Sequence, residues 1–388
     1  MTHNDACDFS GPLRLHRIDA WAFRIAIERP VETSFGIMRS RPAVFVRLEA
    51  DDGSFGFGEI WCNFPACGAE HRVMMAIEEL GPLLTAGEFT SPQQAFAALS
   101  RKVHVRILQT AEPGPYNQAI AGIDIALWDL AARRAGKPVR TFIDPDAQDR
   151  VPVYASGIHI GIAESVIDEA RATGIRNFKV KVGFDTAQDL AALARIAPMI
   201  GNDERLFSDA NQAWDLDQAL EFTKGAADAG LGWLEEPLLA DAPFEDWQRL
   251  AAEGGVALAA GENITGLANF EAAIDGGYLR FVQPDMAKWG GFSANLDVAR
   301  AIIAGGLTYC PHYLGGGIGL VASAHLLAAV GGDGILEVDT NPNPLRESIP
   351  GTAITDGDVV MTDAPGLGID EIPGGLMEHV TLHRYWQD

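Results

Sequence analysis

Along most of the chain short apolar runs alternate with amphipathic stretches, and the rhythm of that alternation changes once. Between Leu13 and about Val139 the pattern is mixed. Two runs of strand character, Leu15 to Glu28 and Ala43 to Trp61, the second turning at Asp51-Asp52-Gly53, precede three helical stretches. The last helix, Tyr116 to Ala135, sets Ile120, Ile123, Leu127 and Leu130 on one face and stops at Gly136 and Pro138. Residues 13–139 therefore read as a small α+β domain.

Beyond Pro138, strands beginning near Val151, Asn177, Arg205, Gly232, Ala257, Phe281, Leu307 and Ile335 follow one another at intervals of 24 to 28 residues. The helices between them mostly end at a glycine (Gly174, Gly201, Gly230, Gly254, Gly276, Gly305, Gly331), as helix-to-strand loops prefer. Eight strands, each but the last followed by a helix, predict a closed (β/α) barrel over residues 140–340. The Gly/Pro-rich tail, 341–388, is expected to pack back on the first domain. Residues 1–12 read as a loose leader.

Composition narrows the function. The chain has 388 residues, 47% of them hydrophobic, enough for a large core. No stretch approaches the ~20 apolar residues of a membrane span, and the N-terminus lacks a basic-then-apolar leader, so a cytoplasmic location is expected. Four cysteines (Cys7, Cys62, Cys67, Cys310) are too few for a disulfide scaffold and lack zinc spacing; they read as reduced thiols. A net charge of -24 argues against nucleic acid. A small anionic substrate fits only where a metal ion and lysines reverse the local potential.

In a (β/α) barrel the chemistry sits at the C-terminal strand ends. There the second strand offers Lys179 and Lys181, the third Asp209 and Asn211, the fourth Glu235-Glu236, and the fifth Glu262. The sixth offers Asp285, the seventh His312 and the eighth Glu337. Alternation puts Lys179 with Lys181, and Asp209 with Asn211, on shared faces. Facing inward, neighbouring strands would bring Asp209, one of Glu235 and Glu236, and Glu262 to a common point. Three buried carboxylates without a cation would cost several kcal/mol per ion. All-oxygen ligation then points to Mg²⁺, with Mn²⁺ as a substitute, rather than zinc. Asp285 is placed to fix the tautomer of His312, leaving the other ring nitrogen as acid or base.

Taken alone, each residue has an ordinary explanation: a snorkelling lysine, a helix cap, a surface ion pair. Lys288 reads as a supporting or surface charge. Gly317-Ile318-Gly319-Leu320-Val321-Ala322, with Glu337 downstream, superficially matches a dinucleotide fingerprint, but too little chain follows to build that domain.

The ordered set Lys179-Val180-Lys181, Asp209-Ala210-Asn211, Glu235-Glu236-Pro237, Gly261-Glu262-Asn263, Pro284-Asp285-Met286-Ala287-Lys288, His312 and Leu336-Glu337 resembles the enolase superfamily, specifically its mandelate racemase group. The resemblance implies a (β/α)7β modified TIM barrel with an N-terminal α+β capping domain. It implies metal ligands Asp209, Glu235 and Glu262, bases Lys181 and the His312–Asp285 dyad, and a homo-oligomer. Glu337 would hydrogen-bond the enolised carboxylate, Lys179 would neutralise the substrate carboxylate, and Asn211 is a further candidate substrate contact. The implied activity is Mg²⁺-dependent abstraction of the proton α to a carboxylate, with dehydration of an acid sugar to a 2-keto-3-deoxy acid favoured. Racemisation or epimerisation in the same site and a non-catalytic sugar-acid binding protein are the alternatives. The glycine-rich segment after His312 departs from the group's pattern. Substrate choice is expected to rest on the segments 33–39 and 61–68.

Overall fold

The computed structural model describes residues 7–9 and 11–388, so most of the expected leader lies outside the described residues. Two long strands open the described fold, β1 (Leu15–Thr33) and β2 (Gly36–Ala50), paired antiparallel across a two-residue turn. β3 (Phe55–Ile60) follows the turn at Asp51-Asp52-Gly53. The first run, expected to end at Glu28, continues to Thr33, and 33–39, the segment expected to bear on substrate choice, is the tip of this hairpin. Ser34 and Phe35 form its turn without the glycine or asparagine that would have marked it in the sequence.

Five helices follow: α1 (Gly68–Met74), continued by a π-helical turn into α2 (Gly81–Thr85), then α3 (Pro92–Thr110), α4 (Pro113–Arg134) and α5 (Val139–Ile143). α4 is buried almost all round because the sheet covers one side and the barrel the other. Two glycines of β3 make that contact possible. A Cβ on Gly56 would sit 2.1 Å from Ala126 O, and one on Gly58 2.0 Å from Gly122 O.

The barrel strands are β4 (Arg150–His159), β5 (Asn177–Lys181), β6 (Arg205–Asp209), β7 (Leu231–Glu235), β8 (Leu258–Ala260), β9 (Phe281–Val282), β10 (Thr308–Tyr309) and β11 (Leu336–Asp339). Each starts within one residue of its expected position. Between them run α6 (Ala163–Ala172), α7 (Thr186–Ile196), α8 (Leu216–Gly225), α9 (Phe244–Glu253), α10 (Leu267–Asp275), α11 (Gly291–Ala304) and α12 (Gly317–Val330). Parallel pairing runs from β4 to β10, and β11 returns to pair with β4. The Glu337 N–H donates to Pro311 O at 3.3 Å across the remaining seam. The fold is thus a (β/α)7β barrel with an N-terminal capping domain.

In the tail, α13 (Pro344–Glu347) is followed by β12 (Ile354–Thr355) and β13 (Asp358–Val360), which pairs with β4. β14 (Val380–Gln387) adds to β1, giving a sheet ordered β14-β1-β2-β3. Among the described residues no helix is long and apolar enough to cross a membrane.

Inside the barrel, Tyr154, Phe207, Trp233, Ala259, Cys310 and Ile335 form one apolar layer, with Phe207 and Trp233 stacked at 3.6 Å. Two residues on, the same strands present Ser156, Asp209, Glu235, Gly261, His312 and Glu337. A period of two therefore places a polar floor directly above an apolar plug.

Candidate active site

Every acid and base expected at the strand ends stands around the barrel mouth, all of them buried except Glu262, which is partly buried. Lys179 is fully enclosed, with Nζ bonded to Glu235, 2.8 Å from Glu337 and 3.4 Å from Asp209. Burial opposes its charge, but Glu235 and Glu337 outweigh that and hold Lys179 well above the usual lysine range. Lys181 binds Asp209. Burial likewise works against the Asp209 anion, yet Lys181 and Lys179 bring its pKa below the ordinary value.

The Glu235-Glu236 pair separates in space. Glu235 points inward above Trp233, between Lys179 and Gln283 Nε2 at 2.6 Å. Burial, with Asp209 and Glu337 adding repulsion against Lys179, pushes Glu235 up to about 8. Glu236, in the left-handed region at φ 39°, accepts from Asn263 Nδ2 at 2.9 Å. Burial and then Glu262 raise it well above the carboxylate range.

Across the barrel, His312 Nδ1 lies 2.8 Å from Asp285, whose other oxygen accepts the N–H groups of Ala287 and Lys288. Nε2 meets Glu262 and stands 3.5 Å from Glu337. Burial disfavours an imidazolium; Glu262, Glu337 and Asp285 together overcome it and raise His312 well above its normal pKa. Glu337 accepts from Ser156 Oγ and from the Tyr313 N–H at 3.2 Å. Burial would raise Glu337, but Lys179 and His312 bring it down to about 2.

Three features were not read from the sequence as parts of the site. Lys288, read as a supporting or surface charge, lines the cavity: Nζ is 3.5 Å from Glu262, 3.2 Å from Asn263 Oδ1 and 4.9 Å from the Trp61 ring centre. Gln283, two residues before Asp285, holds Glu235. Glu59, on β3 of the capping domain, is buried and accepts the Gly316 and Gly319 N–H groups, the latter at 2.8 Å, while the Tyr313 hydroxyl also bonds to it. A Cβ on Gly319 would lie 2.2 Å from Tyr313 Oη, and one on Gly317 2.4 Å from Ile349. The glycines that imitated a nucleotide fingerprint thus open α12, Gly319 against the Glu59 carboxylate and the Tyr313 ring and Gly317 against Ile349.

The capping domain roofs the site. Ser34 Oγ donates to Asn211 O at 2.9 Å, and Asn63 Nδ2 donates to Leu314 O at 2.6 Å. Between roof and floor lies a cavity of about 510 Å³ reached by Lys181, Asn211, Glu262, Lys288 and His312. A larger space of about 640 Å³, beside α6 and α13, contains none of these residues.

Among the described residues no three acidic or histidine side chains stand at ligating distance around one point, because the carboxylates are turned onto Lys179, Lys181, Lys288 and His312. The donor set nonetheless fits a divalent cation. Asp209, Glu235, Glu236, Glu262, Asp285 and Glu337 are six carboxyl groups facing three lysines and one histidine, which leaves two negative charges unmatched when all are ionised. Asn211 Oδ1, buried beside Asp209, has no donor, so an acceptor is also free there. Hard oxygen donors of this kind suit Mg²⁺.

Two family profiles match the chain: "Mandelate racemase / muconate lactonizing enzyme, N-terminal domain" over residues 17–143 and "Enolase C-terminal domain-like" over residues 162–371. The chain is similar to a solved mandelate racemase/muconate lactonizing enzyme from Bordetella bronchiseptica RB50, with 48% identity and a TM-score of 0.90 over 95% of this chain and 100% of that one. It is also similar to L-talarate/galactarate dehydratase from Salmonella typhimurium LT2, solved with Mg and L-lyxarohydroxamate, at 25% identity and a TM-score of 0.83 over 100% of this chain and 97% of that one. D-galactarolactone cycloisomerase of Agrobacterium fabrum is 28% identical over 89% of this chain and 93% of its own length.

Proposed function

The chain belongs to the mandelate racemase/muconate lactonizing enzyme family of the enolase superfamily, and from that we propose that it is a lyase that removes the proton α to a carboxylate and dehydrates a sugar-type acid. One observation carries the reading. Lys181 on β5 and the His312–Asp285 pair beyond β10 and β9 face one enclosed cavity from different sides of the barrel, with buried carboxylates between them.

Asp209, Glu235 and Glu262 are the residues that would hold Mg²⁺, or Mn²⁺ in its place. When bound, the cation supplies positive charge to the substrate carboxylate as the α-carbon is deprotonated. Lys179 sits beside these acids and pairs with the same carboxylate. Glu337 orients Lys179 and the His312 ring beside the carboxylate that is enolised. Asn211 offers its free oxygen to a substrate hydroxyl.

Lys181 takes the α-proton, and His312, with its tautomer set by Asp285, gives its proton to the β-hydroxyl, which leaves as water. The enol left behind tautomerises to a 2-keto-3-deoxy acid. A second reading is supported by the same two bases: proton removal on one face and return on the other inverts the α-carbon, giving a racemase or epimerase. The similar proteins include a dehydratase, which is a lyase, and a cycloisomerase, which is an isomerase, so their names support both broad classes without choosing between them.

The test is incubation of aldonic and aldaric acids with enzyme and Mg²⁺ in D₂O. Release of a 2-keto acid supports the lyase, and deuterium at C2 with inversion and no keto acid supports the isomerase. Binding with neither product nor exchange would instead mark a non-catalytic sugar-acid binding protein.

A further inference from the structure

The roof of the cavity is far less polar than its floor. Val31, Phe35 and Met38 of the β1–β2 hairpin, Trp61 and Phe64 of the segment after β3, and Leu314 form it. Phe35 packs edge-on against Phe64 at 5.3 Å, and Trp61 lies 6.4 Å from Phe64, so the aromatic surface is continuous. Phe35 is 60% exposed at the mouth, a large apolar ring held where a ligand would cover it.

Two polar atoms of this lining, Asn211 Oδ1 at the floor and Trp61 Nε1 in the roof, have no partner among the described residues and are themselves buried; four other polar side chains are engaged by the protein. Thr33 Oγ1 donates to Gly36 O, Asn63 to Leu314 O, and Gln212 Oε1 accepts the Ala240 N–H. Asn263 is divided between Glu236 and Lys288. No arginine lines the cavity among the described residues, and the cation outside the acid–base set, Lys288, is bound to Glu262 and laid over Trp61.

We propose, building on the enolisation reading above, that the acid processed here is a monocarboxylate whose end remote from the reacting carbon is apolar, and not a dicarboxylate. A second carboxylate at that end would lose its water against Phe35, Met38 and Phe64 and find no free cation in exchange. A terminal hydroxyl would find only the buried Trp61 Nε1–H without a partner there, whereas a methyl or ring gains contact with the whole apolar roof.

The test compares three sugar acids of matched stereochemistry on the Mg²⁺-loaded full chain: an aldonic acid ending in CH₂OH, its deoxy analogue ending in CH₃, and the aldaric diacid ending in a carboxylate. Rates of keto-acid release and of C2 deuterium exchange are both read. The deoxy acid is expected to exceed its parent about tenfold in kcat/KM, and the diacid to fall about a hundredfold below the parent, the range that one such group commands in a pocket. In Phe35→Arg, which alters an exposed ring, the diacid is expected to gain relative to the deoxy acid. A wild-type preference for the diacid would overturn the inference by showing that Lys288 leaves Glu262 to bind the second carboxylate. Absence of α-proton exchange with every acid would overturn the underlying reading, and the inference with it.

Discussion

Replacing Glu59 tests how the two domains cooperate. Its carboxylate, on β3, accepts the N–H groups of Gly316 and Gly319 at the start of α12 and bonds the Tyr313 hydroxyl, one residue from His312. Glu59→Ala leaves both N–H groups buried without acceptors. At about 1–3 kcal/mol for each abandoned donor, stability should fall by roughly 2–6 kcal/mol. Glu59→Gln keeps the volume and one acceptor oxygen, so the loss should be about half as large. Burial pushes the Glu59 carboxyl up to about 7 against the hydrogen bonds that lower it, so Gln also imitates the protonated form present at lower pH. The assay is urea unfolding followed by far-UV circular dichroism, with kcat/KM measured in parallel. Both variants should also lose activity, because Tyr313 carries the His312 loop. If Glu59→Ala unfolds within about 0.5 kcal/mol of wild type, the clasp is not what holds α12 and the reasoning fails.

Lys181→Ala and His312→Ala should each lower kcat by about 10² to 10⁴ while the circular dichroism spectrum and unfolding midpoint change little; a collapse of the fold instead would mark both as structural. Asp285→Asn should lower kcat with KM nearly unchanged, since the partner that orients His312 is altered and no substrate contact is removed; a rise in KM alone would contradict this. Acid stability should depend on His325, a buried residue of α12 whose Nδ1 accepts the Arg140 N–H at 3.0 Å. Burial and then Arg140 lower it from 6.5 to about 3, so the unfolded chain binds the proton first and stability is lost as pH falls from about 6.5 towards 3. The full loss is roughly 5 kcal/mol, and His325→Gln should flatten urea midpoints across that window; an unchanged slope would refute the assignment.

The barrel was legible because its strands and helices repeat with a fixed spacing, and β5, β6 and β9 begin at the residues expected from that spacing. The placement of the polar side chains at the barrel mouth was legible because alternation ties each to an apolar one two positions earlier, as Asp209 follows Phe207 and Glu235 follows Trp233. What stayed hidden depends on contacts between segments far apart in sequence. Lys288 is enclosed by Trp61 of the other domain, and Glu59 bonds backbone groups 257 and 260 residues away. The hairpin at Ser34 and Phe35 escaped notice because its turn lacks a turn-marking residue, its position being secured by Ser34 against Asn211. The glycines after His312 carried a signal that pointed to the wrong partner: they make room for Glu59 and Tyr313 rather than for a phosphate.

Asp209, Glu235 and Glu262 are proposed to hold one divalent cation between three neighbouring strands. Isothermal titration of Mn²⁺ into metal-free wild type and into Asp209→Asn, Glu235→Gln and Glu262→Gln tests it directly. One site per chain, weakened at least tenfold in each variant, is the predicted result. Binding that survives unchanged in all three variants, or no binding to the wild type, would contradict it.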